Sequence, residues 1–240
     1  MQRIVILFLS LFSVYGQASC NISSDALKAE YTITTVANEG DKVLSKVKLI
    51  LWRKGQQVAH QYPDTQIVEG WDFINKKMIK PTRYFEKHQR AIEYQPGEAV
   101  HGKKETDWSA RHQLIAEKLK QSMSLKNTTK QACEVLEHYV LNNAHNHLKL
   151  DWLSSSHLIK GFVVKGKHKT QLWTLDKVSY DAKQVSQFFK TLLDYDTTDY
   201  ADIGDDHTDP FLNNMVNLGF IEHGASGFYH AEGDSHGHKH

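Results

Sequence analysis

The C-terminal residues 223–240 hold the side chains of this sequence that are best suited to metal chemistry. Five of its fifteen histidines lie there: His223, His230, His236, His238 and His240. Imidazole is the commonest transition-metal ligand and is largely neutral at pH 7. In an extended segment, alternate side chains point the same way, so the last three histidines can close on one ion. The sequence predicts a mobile tail that binds Zn²⁺, Ni²⁺ or Cu²⁺ in a sensing, buffering or hand-over role. The alternative is a solvated tail whose metal affinity is only adventitious.

An acidic segment, residues 194–209, precedes the tail and contains seven aspartates. Clustered carboxylates can hold Ca²⁺, but the spacing does not fit an EF-hand, because the glycine falls at 204 and no glutamate closes the loop. The alternative is that these residues form solvated turns and helix caps. Since the segment lies close to the tail in sequence, Asp205, Asp206 and His207 are predicted as further ligands of a mixed Asp/His site.

A second histidine group consists of His138, His145 and His147. We expect His138 on a helix and the other two just beyond its end. A structural zinc site needs about four protein ligands and a catalytic one three, so these residues could form a site only if the turn folds back. The alternative is an ordinary polar connection between a helix and a strand.

No motif in the sequence predicts catalysis. Ser154-Ser155-Ser156-His157 lacks a Gly-x-Ser-x-Gly elbow and any obvious partner for a triad. There is also no phosphate loop, dinucleotide fingerprint or Cys-x-x-Cys, so we expect a non-enzymatic protein without an organic cofactor. Five tryptophans are predicted to build the core or to line a concave apolar cavity, where a lipid or acyl chain could bind: Trp52, Trp71, Trp108, Trp152 and Trp173.

Residues 1–18 have the features of a secretory signal peptide. Arg3 is the basic residue, residues 4–15 are an apolar run too short to span a bilayer comfortably, and Gly16-Gln17-Ala18 supplies small residues at the cleavage site. We therefore expect a periplasmic or secreted protein, with a single domain over residues 19–222 and the histidine-rich tail over residues 223–240.

Two cysteines remain after cleavage, Cys20 and Cys133. In an exported protein the default expectation is that they pair. The alternative is a lipoprotein in which Cys20 is acylated, which would leave Cys133 without a partner. Gln17 stands where such signals usually have Leu or Val, and this favours the disulfide.

The charge balance is even. The chain has 29 basic and 28 acidic residues, and Arg3 is lost with the signal peptide. A neutral protein argues against a broad footprint on nucleic acid or on an anionic membrane.

The first half of the chain has the period-2 pattern of strands separated by short turns. About six are expected between residues 28 and 95: 31–36, a run from 43 to 51, 58–62, 65–74, 78–86 and 89–94. Parallel strands need long crossovers, so this spacing predicts an antiparallel meander.

The second half mixes helices and strands. Asp107 is predicted to cap a helix that runs to Met123, and Thr128 to open another that places Cys133 against the core. A further amphipathic helix follows from Val185, and Asp209-Pro210 begins a last one. Three strands are expected between the helix that Thr128 opens and the helix that contains Val185, at residues 148–153, 158–165 and 170–180.

This order of elements resembles the LolA/LolB/RseB-like superfamily of bacterial periplasmic proteins. The likeness covers residues 28–195 and includes strand texture such as Leu51-Trp52-Arg53-Lys54-Gly55 and Ala91-Ile92-Glu93-Tyr94. It implies an α+β fold in which a curved antiparallel half-barrel carries helices on one face. It also implies an alternative function to metal handling, as a carrier or sensor of a lipid, an acyl chain or a lipoprotein, with a periplasmic or outer-membrane protein as a further partner.

Overall fold

The computed structural model describes residues 22–100, 103–131, 133–143, 147–204 and 209–217. The first half forms the six expected strands: β1 (Ala26–Ala37), β2 (Val43–Lys54), β3 (Gln57–Tyr62), β4 (Ile67–Ile74), β5 (Met78–Phe85) and β6 (Arg90–Glu93). Each pairs antiparallel with the next. The predicted meander is therefore confirmed. Gly55 makes the tight β2–β3 turn with φ +59°, which a residue without a Cβ adopts at no steric cost.

The middle of the chain departs from the prediction in two places. After a short hairpin of β7 (Ala99–Val100) and β8 (Lys103–Lys104), the helix expected from Asp107 to Met123 is two helices, α1 (Trp108–Gln113) and α2 (Glu117–Ser122). Leu114 ends α1 in a left-handed conformation, with φ 63°. The Asp107 cap is confirmed, since its side chain accepts from the Ala110 N–H.

The helix predicted from Thr128 is wrong. This segment forms a hairpin of β9 (Ser124–Gln131) and β10 (Glu134–Asn142), so Cys133 lies in a turn and His138 on a strand. Leu136 and Val140 are spaced as on a helix, but the local pattern loses to pairing with a distant strand. β10 lies in antiparallel register with β11 (His147–Leu153) along seven residue pairs, from Leu136–Leu153 to Asn142–His147.

The remaining elements follow the prediction, except for a strand at Asp196–Asp199 in the acidic segment, where none was predicted. After β11 come β12 (Leu158–Lys165), β13 (Lys169–Ser179) and α3 (Ala182–Leu193), then β14 (Asp196–Asp199), a short 3-10 turn and α4 (Pro210–Asn217). Asp209 caps α4 by accepting from the N–H groups of Phe211 and Leu212.

Twelve strands form one sheet in the order β14-β6-β5-β4-β3-β2-β1-β13-β12-β11-β10-β9. The β1–β13 pairing joins the two meanders, and β14 adds a parallel pair at one edge. The result is an α+β fold with an open, curved and mainly antiparallel sheet. Among the described residues, no helix is long and apolar enough to span a bilayer.

Each face of the sheet carries helices. α1 and α2 pack on the concave face, and α3 packs on the opposite face against Trp52, Ala59 and Val68. The indole of Trp52 stacks on the Phe188 ring with centroids 4.0 Å apart. α4 closes a smaller cluster beside β5 and β6.

Candidate functional site

The predicted tail ligands cannot be assessed from the structure. His223, His230, His236, His238 and His240 lie outside the described residues, as do Asp205, Asp206 and His207. Within the described ranges, no three His, Cys, Asp or Glu side chains are grouped to hold a metal ion. The metal site therefore stays a prediction from sequence.

The described aspartates of the acidic segment have structural roles. Asp199 accepts hydrogen bonds from the Gln95 amide at 2.5 Å and from the Ala201 N–H at 3.0 Å. Asp209 caps α4 and accepts from the Arg90 guanidinium at 2.7 Å. These contacts fit the alternative interpretation of the segment, as turn and capping residues.

His138 and His147 lie on adjacent strands but far apart along them. His138 pairs with Asp151, and its Nδ1 lies 2.6 Å from the Asp151 carboxylate. His147 pairs with Asn142, four residues further along β10, which is about 13 Å at the rise of a strand. These two residues cannot share one ion, and His145 lies outside the described residues.

Cys133 is not a free thiol. Cys20 lies outside the described residues, so the Cys20–Cys133 pairing stays a prediction.

The most extensive candidate site is the concave face of the sheet, which is apolar across at least six strands. It is lined by side chains that alternate inward along β1, β2 and β10–β13, and its members include Tyr31, Ile33, Leu49, Tyr139, Leu150, Phe162 and Trp173. Two of the five tryptophans named from sequence, Trp152 and Trp173, belong to this surface, and Trp71 extends it onto β4. An apolar surface of this kind can accept a hydrocarbon ligand if its cover moves.

The cover consists of α1 and α2. Leu114, Ile115 and Met123 are buried against the concave face, and Trp108 and Leu119 pack on it at partial exposure. Each helix has only six residues, and the left-handed Leu114 separates them. Helices this short are not stable alone, so their contacts with the sheet hold them in place.

Ring contacts fix both ends of the cover. The Trp108 ring stacks on Phe73 with centroids 4.8 Å apart, and the Arg111 guanidinium lies over the Trp71 ring at 4.5 Å. On α2, the Lys120 ammonium lies 4.7 Å from the centre of the Trp152 ring.

Arg53 is the polar centre of this arrangement. It is completely buried, and its guanidinium donates to the carbonyl oxygens of four separate residues: His112 at 2.5 Å, Ser24 at 3.2 Å, Ser156 at 2.9 Å and His157 at 2.6 Å. Burial lowers the pKa of Arg53 to about 10, while Tyr31 and Asp25 act in the opposite direction. The side chain therefore remains charged at neutral pH.

His60 holds the same end of α1. Its Nε2 lies 2.7 Å from the carbonyl oxygen of Arg111, one residue before the acceptor used by Arg53. A helix leaves the carbonyl groups of its last turn without partners inside the helix. In α1, buried side chains of the sheet supply partners for two of these carbonyls. Burial, reinforced by Arg111 and Arg53, lowers the pKa of His60 to about 3, so its ring is neutral at physiological pH.

At one side of the cover the apolar lining reaches solvent. We call this region the concave rim. Its side chains are partly or fully exposed on the concave side of the sheet: Val47, Leu125, Tyr139, Leu141 and Leu175. Val47 is 37% and Leu125 51% exposed. The rim lies between the β1–β2 hairpin and the edge strand β9, on the side away from Arg53.

Sequence reasoning did not identify Arg53 or His60. Both alternate into the apolar face of their strands, at the positions where a hydrophobic residue is expected. That mismatch between residue type and strand register is the one signal in the sequence that could have singled them out.

A scan against protein-family models finds no match, and a search of curated proteins finds none either. Similar solved structures include PNGF-II, with a TM-score of 0.37 and 10% identity over 75% of this chain and 33% of that chain. MucB in complex with MucA(peri) matches with a TM-score of 0.32 and 9% identity over 67% and 52% of the two chains. A LolA superfamily protein from Nitrosomonas europaea has a TM-score of 0.26 and 9% identity over 67% and 88%.

This chain thus spans about a third of the PNGF-II chain and about half of the MucB chain that it matches. The similar structures thus include MucB and a LolA superfamily protein, in line with the group that the order of the elements resembles, at TM-scores of 0.32 and 0.26. A fold supports many functions, and the function has to be argued from the geometry of this chain.

Proposed function

We propose that the protein is a non-enzymatic, exported carrier or sensor that holds an acyl chain, as a lipid or as part of a lipoprotein, against the concave face of its sheet. The observation that carries this proposal is the pairing of a broad apolar concave face with a cover made of two six-residue helices. A partner that presents such a chain is part of the proposal, as is a periplasmic location.

The free energy needed to lift the cover is similar to the free energy that an acyl chain gains on burial, so a ligand can exchange with the cover. Fully burying a leucine or methionine side chain contributes roughly 1.5–3 kcal/mol. Met123 is buried and Leu119 only partly buried, so lifting both off the sheet costs at most about 6 kcal/mol. Each methylene that takes their place recovers roughly 0.8 kcal/mol. An acyl chain that buries about six methylenes offsets the loss, and ordinary membrane lipids are longer than that.

The contacts of α1 and α2 differ in kind, which divides the cover into an anchor and a movable part. α1 is tied through Arg53, His60 and the Trp108–Phe73 stack. α2 contacts the sheet through Leu119, Met123 and the Lys120–Trp152 contact, and its first residue, Glu117, is hydrogen-bonded to Ser109 and Gln113 of α1. We infer that α2 swings about Leu114 while α1 stays in place.

The experiment is binding of a fluorescent fatty acid, together with native mass spectrometry of protein prepared without detergent. Leu141→Gln places an amide on the concave rim and should weaken binding roughly tenfold. Leu193→Gln, the matched control, makes the same change at a site that is 77% exposed on α3 and should leave binding unchanged. Equal affinities of the two variants, both folded by circular dichroism, would contradict the proposal.

Metal handling by the C-terminal tail is a separate proposal that rests on sequence alone. It is compatible with the carrier function, because the tail and the concave face use different residues.

A further inference from the structure

Two hairpins end side by side at one end of the sheet, and together they form a surface we call the basic tip. It comprises residues 37–46 of the β1–β2 hairpin and residues 165–169 of the β12–β13 hairpin. Two neighbouring apolar side chains project from it into solvent: Val43 is 57% exposed and Leu44 53%. Burial gives no reason for these two residues to be apolar.

The tip is rigid because Asn38 links its two hairpins. The Asn38 side-chain amide donates to the carbonyl oxygens of Gly166 at 2.8 Å and Lys167 at 3.1 Å. Its backbone N–H donates to the carbonyl of His168 at 3.0 Å, and its side-chain oxygen accepts from the Thr170 hydroxyl at 2.7 Å. The surface is therefore preorganised, and binding would not have to order it.

The charge of the tip is strongly positive although the protein is nearly neutral. The tip contains five exposed lysines and two acidic residues, Glu39 and Asp41: the lysines are Lys42, Lys46, Lys165, Lys167 and Lys169. The whole chain has a formal charge of +1, and seven aspartates are concentrated in residues 194–209. That segment includes β14, at one edge of the sheet, whereas the tip lies at the ends of β1, β2, β12 and β13. An even overall balance, which argues against a broad footprint on an anionic membrane, is compatible with a local basic surface of this kind.

The tip is continuous with the proposed ligand site. Val47 of the concave rim lies four residues from Val43 on β2, and β1, β2, β12 and β13 all supply the apolar lining of the concave face. If the tip binds to lipid, the concave rim therefore lies next to that lipid.

We propose that the basic tip docks peripherally on an anionic lipid bilayer. The lysines would lie among acidic headgroups, where each contributes through the negative surface potential. Val43 and Leu44 would enter the interfacial region, which is favourable for exposed apolar side chains and explains why they are not polar. Exchange of a ligand at the docked protein rests on the proposed function, whereas the docking does not.

Co-sedimentation with vesicles tests the docking directly. One set of vesicles consists of phosphatidylcholine alone, and the other contains phosphatidylcholine with 30% phosphatidylglycerol. Both are used at about 0.1 M salt. We expect binding to the anionic vesicles only, and weaker binding as salt is raised. The double variant Lys165→Gln with Lys167→Gln should reduce the vesicle partition coefficient roughly 30-fold, because each lysine near the surface contributes a factor of about five.

Matched controls separate the tip from general charge and general hydrophobicity. Lys183→Gln with Lys190→Gln removes the same charge from exposed positions of α3 and should leave binding within twofold. Val43→Ser with Leu44→Ser should weaken binding, while Met78→Ser with Leu193→Ser, also at exposed sites, should not.

Three results would overturn the proposal. They are equal binding to both vesicle types, equal losses from tip and α3 variants, and binding of duplex DNA that needs the tip lysines but not Val43 or Leu44. A tip that binds vesicles while the concave rim takes up no fatty acid would support docking and count against the carrier function alone.

Discussion

Arg53 on β2 donates from Nε to the main-chain oxygen of His112 in the last turn of α1, at 2.5 Å. This one hydrogen bond joins the centre of the sheet to the helices that cover it. The same guanidinium also reaches Ser156 and His157, in the turn between β11 and β12. A single buried cation therefore holds together the cover, the segment before β1 at Ser24 and the second meander.

Replacing Arg53 should destabilise the whole domain. Arg53→Met keeps much of the side-chain volume but leaves four carbonyl oxygens without their donor, at roughly 1–3 kcal/mol for each group that stays buried. Relaxation and water entry reduce that sum, and we expect a loss of about 3–5 kcal/mol in the free energy of unfolding.

Urea denaturation measures this loss. Lys54→Met is the matched control, since Lys54 is the next residue of β2 and is exposed, and it should change stability by less than about 0.5 kcal/mol. If Arg53→Met also fell within that range, the guanidinium would not be holding these elements together.

Acidification should weaken the fold through its buried imidazoles. Burial lowers the pKa of both His60 and His112 from 6.5 to about 3, and nearby Arg53 acts in the same direction on each. Between pH 6.5 and 3 the unfolded chain binds protons that the folded protein does not. Stability should therefore fall as the pH drops below 6.5, by about 1.4 kcal/mol per pH unit for each imidazole, and should show no such dependence above it.

Denaturation midpoints measured between pH 7.5 and 4.5 test the direction of this pH dependence and which residues cause it. His60→Gln should reduce the slope by removing one titrating group. His168→Gln, in the exposed turn of the basic tip, is the control and should keep the slope of the unaltered protein. A protein whose stability is flat or rises on acidification would show that these rings are not held neutral.

The strands were predictable where one face alternates without interruption. In β2, Val47, Leu49 and Leu51 recur at every second position, and short turns at Gly55 and Asn75 favour antiparallel pairing. β10 was not predictable in this way, because residues 134–142 fit a helical spacing as well as a strand. The contact that decides between them is with β11, which lies beyond a turn and cannot be read from local sequence.

The candidate site was predictable only in outline. The tryptophans indicated an apolar cavity, and Trp152 and Trp173 do line the concave face. The roles of Arg53 and His60 depend on where the end of α1 lies over the sheet, and that position is set by tertiary packing. The clustering of charge at the basic tip likewise arises only when residues 37–46 and 165–169 are brought together by β1–β13 pairing.

A disulfide between Cys20 and Cys133 is expected in exported protein. Cys133 lies in the β9–β10 turn, near the free edge of the sheet. A bridge would close a loop of about a hundred residues and contribute roughly 4–5 kcal/mol in the chain-entropy model. Intact mass and thiol counting on protein prepared from the periplasm decide this. Two free thiols, or a diacylglyceryl group on Cys20, would exclude the bridge.

The C-terminal tail should bind Zn²⁺, Ni²⁺ or Cu²⁺ through His236, His238 and His240, with His230 or His223 as a further ligand. Ordering a mobile segment costs roughly 1–2 kcal/mol for each backbone residue fixed, so the affinity should be modest unless Asp205, Asp206 or His207 contributes. Protons compete for imidazoles near pH 6.5, so metal affinity should fall below about pH 6. This dependence on pH is a property of the tail and is separate from the stability of the domain.

Calorimetric titration at pH 7.5 and 5.5 separates the tail from the domain when the full chain is compared with a chain that ends at Gly224. The truncated protein keeps His138 and His147, but these lie about 13 Å apart along adjacent strands and cannot replace the tail. We expect uptake by the full chain at pH 7.5, weaker uptake at pH 5.5, and little by the shorter chain at either pH. Equal uptake by the two chains would place the metal site within residues 19–224, and no uptake by either would exclude metal binding by the tail and leave the carrier function ahead.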